Sequence, residues 1–203
     1  MTTLFIFPNA CSFAAHVVIN ELQLPIDVEK VQFAADSPYR QINPTGRIPA
    51  LRLDDQTLLT ENTAILPYLA DLKPGTPLFA PVGSVERAQI QGWLGHLATE
   101  VHVGAFRSIN RPERFSPDES AFVGIRSKGV QRLADALKPL EARLASQDYL
   151  VGNRFTLADA YLGVFVGWSA RVGTLLEDFA ALQAFLARYR ARESVVRTLA
   201  VEA

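Results

Sequence analysis

The first third of the chain alternates short apolar runs with stretches in which apolar residues recur at helical spacing. Residues 3–7 and 26–33 are rich in β-branched and aromatic side chains, and residues 49–59 place two apolar runs around the polar turn "DDQ". Helical spacing covers residues 11–22 and 62–71. The order strand, helix, strand, two-stranded hairpin, helix predicts a small α/β layer.

Beyond residue 85 the pattern changes to helical spacing alone. Apolar stripes cover 86–103, 130–144 and 179–189, and Pro139 inside the second stripe predicts a kink or a break there. The stretch 156–168 is apolar on nearly every side, which predicts a helix buried at the centre of a bundle. This part of the chain is therefore predicted to be all-α.

The segment "KPGTPLFAPVGS" at 73–84 separates these two patterns. It contains three prolines and two glycines, a composition typical of an interdomain linker. We therefore expect two domains, an α/β domain at 1–75 and an all-helical domain at 86–203, with a linker at 76–85.

Composition excludes several classes of protein. The apolar fraction of 49% and the charged fraction of 20% are those of an ordinary globular protein, and the net charge of −1 predicts no nucleic acid partner and no anionic membrane partner. One cysteine and three histidines exclude a disulfide scaffold and argue against a metal site. The N-terminus lacks the basic region of a signal peptide, and the most apolar later stretch, 160–168, is too short to span a membrane, so we expect a soluble, cytoplasmic protein.

Cys11, the only cysteine, comes just before a predicted helix. The free N–H groups and the dipole of a helix N-terminus lower the pKa of a thiol or hold a bound thiolate. The alternative interpretation is a small buried apolar residue. Because Ala14 stands where a C-x-x-C motif has its second cysteine, any thiol exchange needs an external thiol. The Ser12 hydroxyl either caps the helix or donates to a thiolate.

Two further segments have the composition of a site for a peptide-like ligand. In "NPTGRIPAL", Pro49 begins a strand, and a cis bond after Ile48 would present the Ile48 N–H and C=O groups to an extended ligand. In "LLTENTAIL", Asn62 is a natural N-cap, the exposed amides around it suit a carboxylate, and Glu61 suits an ammonium group. Simple helix capping is the alternative interpretation of the second segment.

The three histidines fall on different helix faces. His16 lies within the first helix and is expected to make a structural hydrogen bond, whereas His96 falls off the apolar stripe and is expected to be solvated. His102 lies at the edge of the inward stripe, where it can meet the first domain and donate to a sulfur. The alternative for His102 is a core histidine with a satisfied hydrogen bond.

Five segments, in this order, resemble the bacterial beta-class glutathione S-transferases: "PNACS…H", "NPTGRIPAL", "LLTENTAILPYLAD", "WLGHLATEVH" and "LVGNRFTLADAYL". The similarity covers almost the whole chain, with 107–119 as the stretch least clearly matched. It implies a thioredoxin-like domain that binds glutathione, a helical domain that shapes the electrophile pocket, and a homodimer.

The same resemblance assigns individual roles. Cys11 matches the cysteine that contacts or bonds to the glutathione sulfur, Ser12 is its neighbour, and His102 matches a histidine near that sulfur. Ile48, Pro49, Glu61 and Asn62 match residues that hold glutathione, with Pro49 in the place of the family's cis-proline. The electrophile pocket would be lined from Asn9, Phe106, Tyr161 and Trp168, whereas Thr156 and Asp159 match a structural capping box.

Three positions depart from the family pattern. Asn9 replaces a usual glycine, and Gly95 and Val103 stand where some members have an asparagine and a lysine. The missing lysine would weaken the hold on a glutathione carboxylate unless Arg47 or Arg126 replaces it.

The resemblance implies transfer of glutathione, as cosubstrate, to an apolar electrophile, with the thiolate stabilised near Cys11, Ser12 and His102. One alternative is a thiol reductase or peroxidase that uses a mixed disulfide of Cys11 with glutathione. The other is a ligand-binding protein without turnover, because one fold hosts many functions.

Overall fold

We analysed a computed structural model, which describes residues 1–34, 36–172 and 175–203. Its first part is a four-stranded sheet in the order β2-β1-β3-β4, in which β1 and β2 are parallel and the other pairs are antiparallel. The strands are β1 (Thr3–Ile6), β2 (Asp27–Lys30), β3 (Ala50–Arg52) and β4 (Leu58–Thr60). The predicted strands are all present, although the second is shorter than the apolar run that predicted it.

Helices account for the rest of the regular structure. Three of them accompany the sheet: α1 (Phe13–Leu22), α2 (Tyr39–Ile42) and α3 (Asn62–Asp71). The later part contains α4 (Val85–His96), α5 (Arg107–Asn110), α6 (Phe122–Leu144), α7 (Leu157–Ser169), α8 (Ala180–Arg190) and α9 (Glu193–Glu202), and the segment Leu97–Phe106 between α4 and α5 is a π-helix. An α/β half followed by a helical half confirms the predicted fold class.

Pro139 does not interrupt α6, which runs from Phe122 to Leu144, so a break at this proline was a wrong prediction. The buried residues of α6, among them Leu133, Leu137, Leu140 and Leu144, hold the helix against the core on either side of the proline. Packing of this stripe outweighs the one backbone hydrogen bond that a proline removes.

The alternation of side chains along β1 divides the sheet between two cores. Leu4 and Ile6 point into the main core, which continues through α1, α3 and the helical half. Phe5 points to the other face, where it joins a small cluster with Tyr39 and Ala50. This period of two is what a strand buried on both faces requires.

Helix α7 lies at the centre of the helical half, as its all-round apolar pattern predicts. Its residues from Leu157 to Val166 are all buried. Gly163 is required there, because a Cβ atom at this position would stand 2.2 Å from the ring of Tyr189. The predicted capping box is also confirmed, since the Asp159 carboxylate accepts from the Thr156 N–H at 2.8 Å.

The connection at 73–84 is packed rather than exposed along its middle. Leu78, Phe79 and Ala80 are buried, the Leu157 N–H donates to the Leu78 carbonyl at 3.0 Å, and the Arg87 guanidinium lies 3.7 Å from the Phe79 ring centre. Proline and glycine content predicted a connection here but not this packing. The domain boundaries 1–75 and 86–203 stay a prediction.

Two histidines outside the candidate site have structural partners. His16 Nδ1 lies 2.8 Å from a carboxylate oxygen of Glu202, which ties α1 to the C-terminal helix α9 and confirms the expected structural hydrogen bond. His96 is not solvated, as was predicted, but half-buried, with Nε2 3.0 Å from the Ala136 carbonyl.

Within residues 1–34, 36–172 and 175–203, no helix is both long enough and apolar enough to cross a membrane.

Candidate active site

Cys11 lies between the end of β1 and the first turn of α1, where it is 9% exposed. Its thiol donates a hydrogen bond to the Ile48 carbonyl, with the sulfur 3.4 Å from the oxygen. The Ile48–Pro49 peptide bond is cis and immediately precedes β3. The structure therefore brings together the cysteine and the backbone edge that the sequence proposed separately.

The pKa of the Cys11 thiol is raised to about 12, which contradicts the expectation that the helix N-terminus lowers it. Burial is the main cause, and the nearby Glu61 carboxylate adds to it. Hydrogen bonds from the Cys11 and Ser12 backbone N–H groups and the charge of Arg107 act in the opposite direction but are outweighed. Cys11 is a neutral thiol at neutral pH.

Ser12 is fully buried and its hydroxyl is engaged with one backbone residue. The hydroxyl donates to the Phe7 carbonyl at 3.3 Å and accepts from the Phe7 N–H at 3.2 Å. It makes no capping hydrogen bond to α1. The Ser12 hydroxyl is therefore not the cap of α1 but joins the end of β1 to the start of α1, and its role as a donor to a thiolate stays a prediction.

Glu61 and Asn62 lie at the junction of β4 and α3, with Cys11 next to them. Glu61, not Asn62, occupies the N-cap position of α3, and it does so with a φ of 68°, a conformation that a residue with a side chain rarely adopts. Asn62 is the first helical residue, and its amide donates to the Cys11 carbonyl at 2.8 Å. Strained backbone at such a junction is typical of functional sites.

The other end of the Asn62 amide has no hydrogen-bond partner. Its Oδ1 atom is buried and unpaired among the described residues. A buried acceptor of this kind costs free energy unless a ligand or water provides a donor. Asn62, which was predicted to lie with Glu61 at the γ-glutamyl end of glutathione, therefore has an unpaired acceptor.

His102 lies in the π-helix and packs against α7. Its Nδ1 atom is 3.4 Å from the Tyr161 hydroxyl, and its ring packs against those of Phe165 and Trp168 at 5.4 and 5.5 Å between centres. Burial, with the charge of Arg107, lowers the pKa of His102 to about 4. The imidazole is therefore neutral at neutral pH.

Aromatic side chains form one wall around His102. The Trp168 ring is edge-on to those of Phe106 and Phe165 at 5.2 and 5.3 Å, and the Tyr161 and Phe165 ring centres are 4.7 Å apart. The structure thus groups three of the four predicted pocket residues. Phe165 was missed, although its spacing of four from Tyr161 and three from Trp168 puts it on the same helix face.

Asn9, the fourth predicted pocket residue, is bound to the end of α7. Its carbonyl accepts from the Trp168 indole N–H, and its side-chain oxygen accepts from Arg171, both at 3.0 Å. A cavity of about 80 Å³ lies here, lined by Asn9 and Trp168 but by neither Phe106 nor Tyr161. Trp168 therefore belongs both to this cavity and to the aromatic wall.

Arg107, which was not among the predicted site residues, is the cation whose charge acts on both Cys11 and His102. Of the two arginines suggested as replacements for a lysine, Arg126 donates instead to the Ile109 carbonyl, and Arg47 is exposed. Val103 is 39% exposed, and a Cβ atom at Gly95 would meet open space. Arg107 follows Val103 by four residues along the same helical stretch, a spacing that would have indicated it.

Among the residues that the structure describes, no group of three or more His, Cys, Asp or Glu side chains is placed to hold a metal ion.

Family comparisons agree with this arrangement of fold and site. Residues 10–72 match the model of the glutathione S-transferase N-terminal domain, and residues 107–188 match that of the C-terminal domain. The chain belongs to the glutathione S-transferase family. Its sheet with α1–α3 is the thioredoxin-like domain of that fold, and α4–α9 form the helical domain.

Relatives match along the full length. Glutathione S-transferase GstA of Escherichia coli is 37% identical over 207 residues, and GST-4.5 of Xanthomonas campestris is 32% identical over 201, each alignment covering 98% of both chains. By this similarity the chain is a glutathione S-transferase enzyme, which leaves the alternative of a ligand-binding protein without turnover unsupported.

Solved bacterial structures are equally similar. A sphingomonad glutathione S-transferase in complex with glutathione has a TM-score of 0.88 at 33% identity, over 98% of each chain. A beta-class enzyme of Sphingomonas chungbukensis has the same TM-score and identity, over 99% of this chain and 98% of that one. The resemblance to beta-class bacterial enzymes is confirmed.

Proposed function

We propose that the chain binds glutathione along the cluster of Cys11, Ile48–Pro49, Glu61 and Asn62 and transfers it to apolar electrophiles. The observation that carries this proposal is a pair of hydrogen bonds centred on Cys11. Its thiol donates to the Ile48 carbonyl, and its own carbonyl accepts from Asn62. Three predicted glutathione contacts therefore form one hydrogen-bonded unit.

Glutathione would lie extended across this unit. The Ile48 N–H and C=O groups next to cis-Pro49 pair with its cysteinyl backbone, and the exposed Glu61 carboxylate pairs with its ammonium group. The free N–H groups at the start of α3 face the γ-glutamyl carboxylate. The unpaired Asn62 Oδ1 supplies an acceptor at the same end.

The glutathione sulfur would lie next to Cys11, whose neutral thiol can donate to a thiolate. Donation to that thiolate would replace donation to the Ile48 carbonyl, which then becomes available to glutathione. His102 is a second neutral donor, and the charge of Arg107 favours the anion. Ser12 would act by holding the Cys11 loop. Together these groups lower the pKa of the bound thiol and raise the population of the nucleophilic thiolate.

The electrophile would lie against the aromatic wall of Phe106, Tyr161 and Trp168, with Asn9 fixing the loop on its far side. These side chains favour an apolar, partly aromatic electrophile, because flat rings pack well against edge-on aromatic walls.

Calorimetric titration with glutathione and a conjugation assay with 1-chloro-2,4-dinitrobenzene test the proposal. Glu61→Gln should weaken glutathione binding about tenfold, because it removes one charge-assisted hydrogen bond. Glu193→Gln, at an exposed carboxylate on α9, is the matched control and should leave the affinity unchanged. Absence of glutathione binding by the unaltered protein, or equal affinities of the two variants, would contradict it.

The proposed role for Cys11 is non-covalent. A thiol with a pKa of about 12 is almost entirely protonated at pH 7, so attack on glutathione disulfide should be slow. Cys11→Ala should therefore retain aryl conjugation to within about tenfold, the effect expected for the loss of one hydrogen-bond donor. Rapid formation of a glutathione adduct on Cys11, detected by intact-protein mass spectrometry, would instead support the reductase or peroxidase alternative.

We also propose a homodimer, on the grounds of family membership. Sedimentation velocity at micromolar concentration should give twice the 22.3 kDa mass of the chain. A monomer at that concentration would refute this part of the proposal.

A further inference from the structure

The Tyr161 hydroxyl lies next to His102, a residue of the proposed site. It is 3.4 Å from His102 Nδ1, and a hydrogen-bond interaction with the Asn62 side chain acts on its pKa. Both ring neighbours of Tyr161, His102 and Phe165, are held by the packing of the aromatic wall. Tyr161 itself is 3% exposed.

Protonation states limit how the Tyr161–His102 pair can be arranged. Burial, with the negative charge of a Cys11 thiolate or of Glu61, raises the pKa of Tyr161, so the phenol keeps its proton. The pKa of His102 is lowered to about 4, so the imidazole carries a single N–H. Two arrangements remain: the phenol donates to Nδ1, or Nδ1–H donates to the phenol oxygen.

The partners around the hydroxyl decide between these two arrangements. In the described part of the chain, the acceptor within hydrogen-bond distance of the Tyr161 hydroxyl is His102 Nδ1. If Nδ1 were the donor, the phenolic O–H would be buried without an acceptor, which is costly.

We propose that Tyr161 is a positioning residue that donates to His102 Nδ1 and thereby holds the imidazole in the tautomer with its proton on Nε2. The Nε2–H group is then a hydrogen-bond donor for the glutathione thiolate. This inference rests on the proposed function for the part that concerns the thiolate. The tautomer itself is a property of the free protein.

Ring-nitrogen NMR of the ligand-free protein tests the tautomer directly. Long-range ¹H–¹⁵N spectra of the three histidines, with His102 assigned by its absence in His102→Gln, should show the Nε2–H form of His102. Tyr161→Phe should convert His102 to a mixture of tautomers. Tyr189→Phe is the matched control, because this buried hydroxyl donates to the Ala160 carbonyl and should leave His102 unchanged. An Nδ1–H tautomer in the unaltered protein would overturn the proposal.

A double-mutant cycle tests the consequence for the bound thiolate. Ultraviolet titration of bound glutathione should show Tyr161→Phe raising the thiol pKa, with kcat at neutral pH about tenfold lower and KM for glutathione unchanged. In the His102→Gln background, the glutamine amide supplies a donor near the Nε2 position without help from Tyr161. The phenylalanine substitution should then have little effect.

The outcomes separate the two proposals. An equal effect of Tyr161→Phe in both backgrounds would show that Tyr161 acts only through packing and would overturn the positioning role. An Nε2–H tautomer that depends on Tyr161, together with full activity of a His102→Ala variant, would support the tautomer inference while refuting the role of His102 in the proposed function.

Discussion

Arg107 illustrates how one charge acts on two groups of the site. It lowers the pKa of His102 and opposes the rise in the pKa of Cys11. A cation in a partly buried site favours any anion formed there, because the surrounding protein screens the charge less than water does. The proposed anion is the glutathione thiolate.

Arg107→Gln should raise the pKa of bound glutathione by about half a unit, since it removes this favourable charge. The kcat/KM profile for conjugation should shift to higher pH by the same amount, with little change at alkaline pH, where the thiolate forms without help. The control is Arg197→Gln on α9, whose partner is the exposed Glu193. An unshifted pH profile would show that Arg107 has no electrostatic role in the thiolate.

At the scale of elements, the start of α7 depends on one buried carboxylate. Asp159 accepts from the Leu150 N–H and from the Thr156 N–H and hydroxyl, all within 2.9 Å. Burial nevertheless raises its pKa to about 6, so the hydrogen bonds only partly offset desolvation.

Asp159→Asn should lower the free energy of unfolding by about 2 kcal/mol at pH 7, because the new amide cannot accept at both oxygens. Between the ordinary aspartate pKa of 3.8 and about 6, the folded state binds more protons at Asp159 than the unfolded state. The contribution of this group to stability therefore falls as pH rises through that window. In urea unfolding, the difference in the free energy of unfolding between the unaltered protein and Asp159→Asn should be larger at pH 4 than at pH 7.

Exposed Asp118 is a control, because its pKa is shifted in the opposite direction to that of Asp159. Hydrogen bonds from Ser120 lower its pKa, so its contribution to stability is present above the ordinary pKa and is lost as pH falls. The difference in the free energy of unfolding between the unaltered protein and Asp118→Asn should become smaller as the pH is lowered. Parallel pH trends for the two variants would contradict the assignment at Asp159.

Helix α9 is joined to α1 by a buried pair, and the removal of one partner should be costly. Glu202→Ala leaves His16 buried without its hydrogen bond and should lower the free energy of unfolding by about 3 kcal/mol. Glu193→Ala breaks an exposed pair with Arg197 on the same helix and should cost less than about 0.5 kcal/mol. Similar losses in urea unfolding for both variants would show that burial does not set the difference.

Elements with strong periodicity were predictable from the sequence, and those shaped by tertiary contacts were not. The stripe of Leu133, Leu137 and Leu140 correctly predicted a helix, but the break considered at Pro139 is absent because long-range packing holds α6 on both sides. The π-helix at Leu97–Phe106 leaves no mark on periodicity over so few turns.

At the scale of the whole molecule, the connection between the two halves belongs to the core. Phe79 is buried beneath Arg87, which also pairs with Asp71 at the end of α3, and Leu78 accepts from the first residue of α7. The main hydrophobic cluster is continuous from β1 to α8. Such continuity favours cooperative unfolding over independent domains.

Native-state hydrogen exchange should therefore give one shared opening free energy for the most protected amides of β1 and of α7. Phe79→Ala should weaken this coupling and lower the free energy of unfolding by about 3 kcal/mol, the usual cost of a large aromatic truncation. Exchange of β1 at a clearly lower free energy than α7 in the unaltered protein would show that the halves open separately.

The sequence indicated which residues form the candidate site but not the pKa values of their side chains. Cys11, Ile48, Asn62 and His102 could be named because each has a recognisable place in an ordered series of motifs. The raised pKa of Cys11 and the lowered pKa of His102 depend on burial by residues distant in sequence. The engagement of the Ser12 hydroxyl with Phe7 depends likewise on how β1 meets α1.

The two hydrogen bonds that Asn9 accepts from Trp168 and Arg171 have a practical consequence for engineering. Trp168 is an obvious target for changing substrate range, yet its indole N–H also holds the loop that carries Cys11 two residues later. A smaller side chain at 168 would enlarge the pocket and at the same time remove one of the two hydrogen bonds that Asn9 accepts, leaving the one from Arg171. Libraries that vary positions 9, 168 and 171 together should recover active variants that single-site libraries at 168 discard.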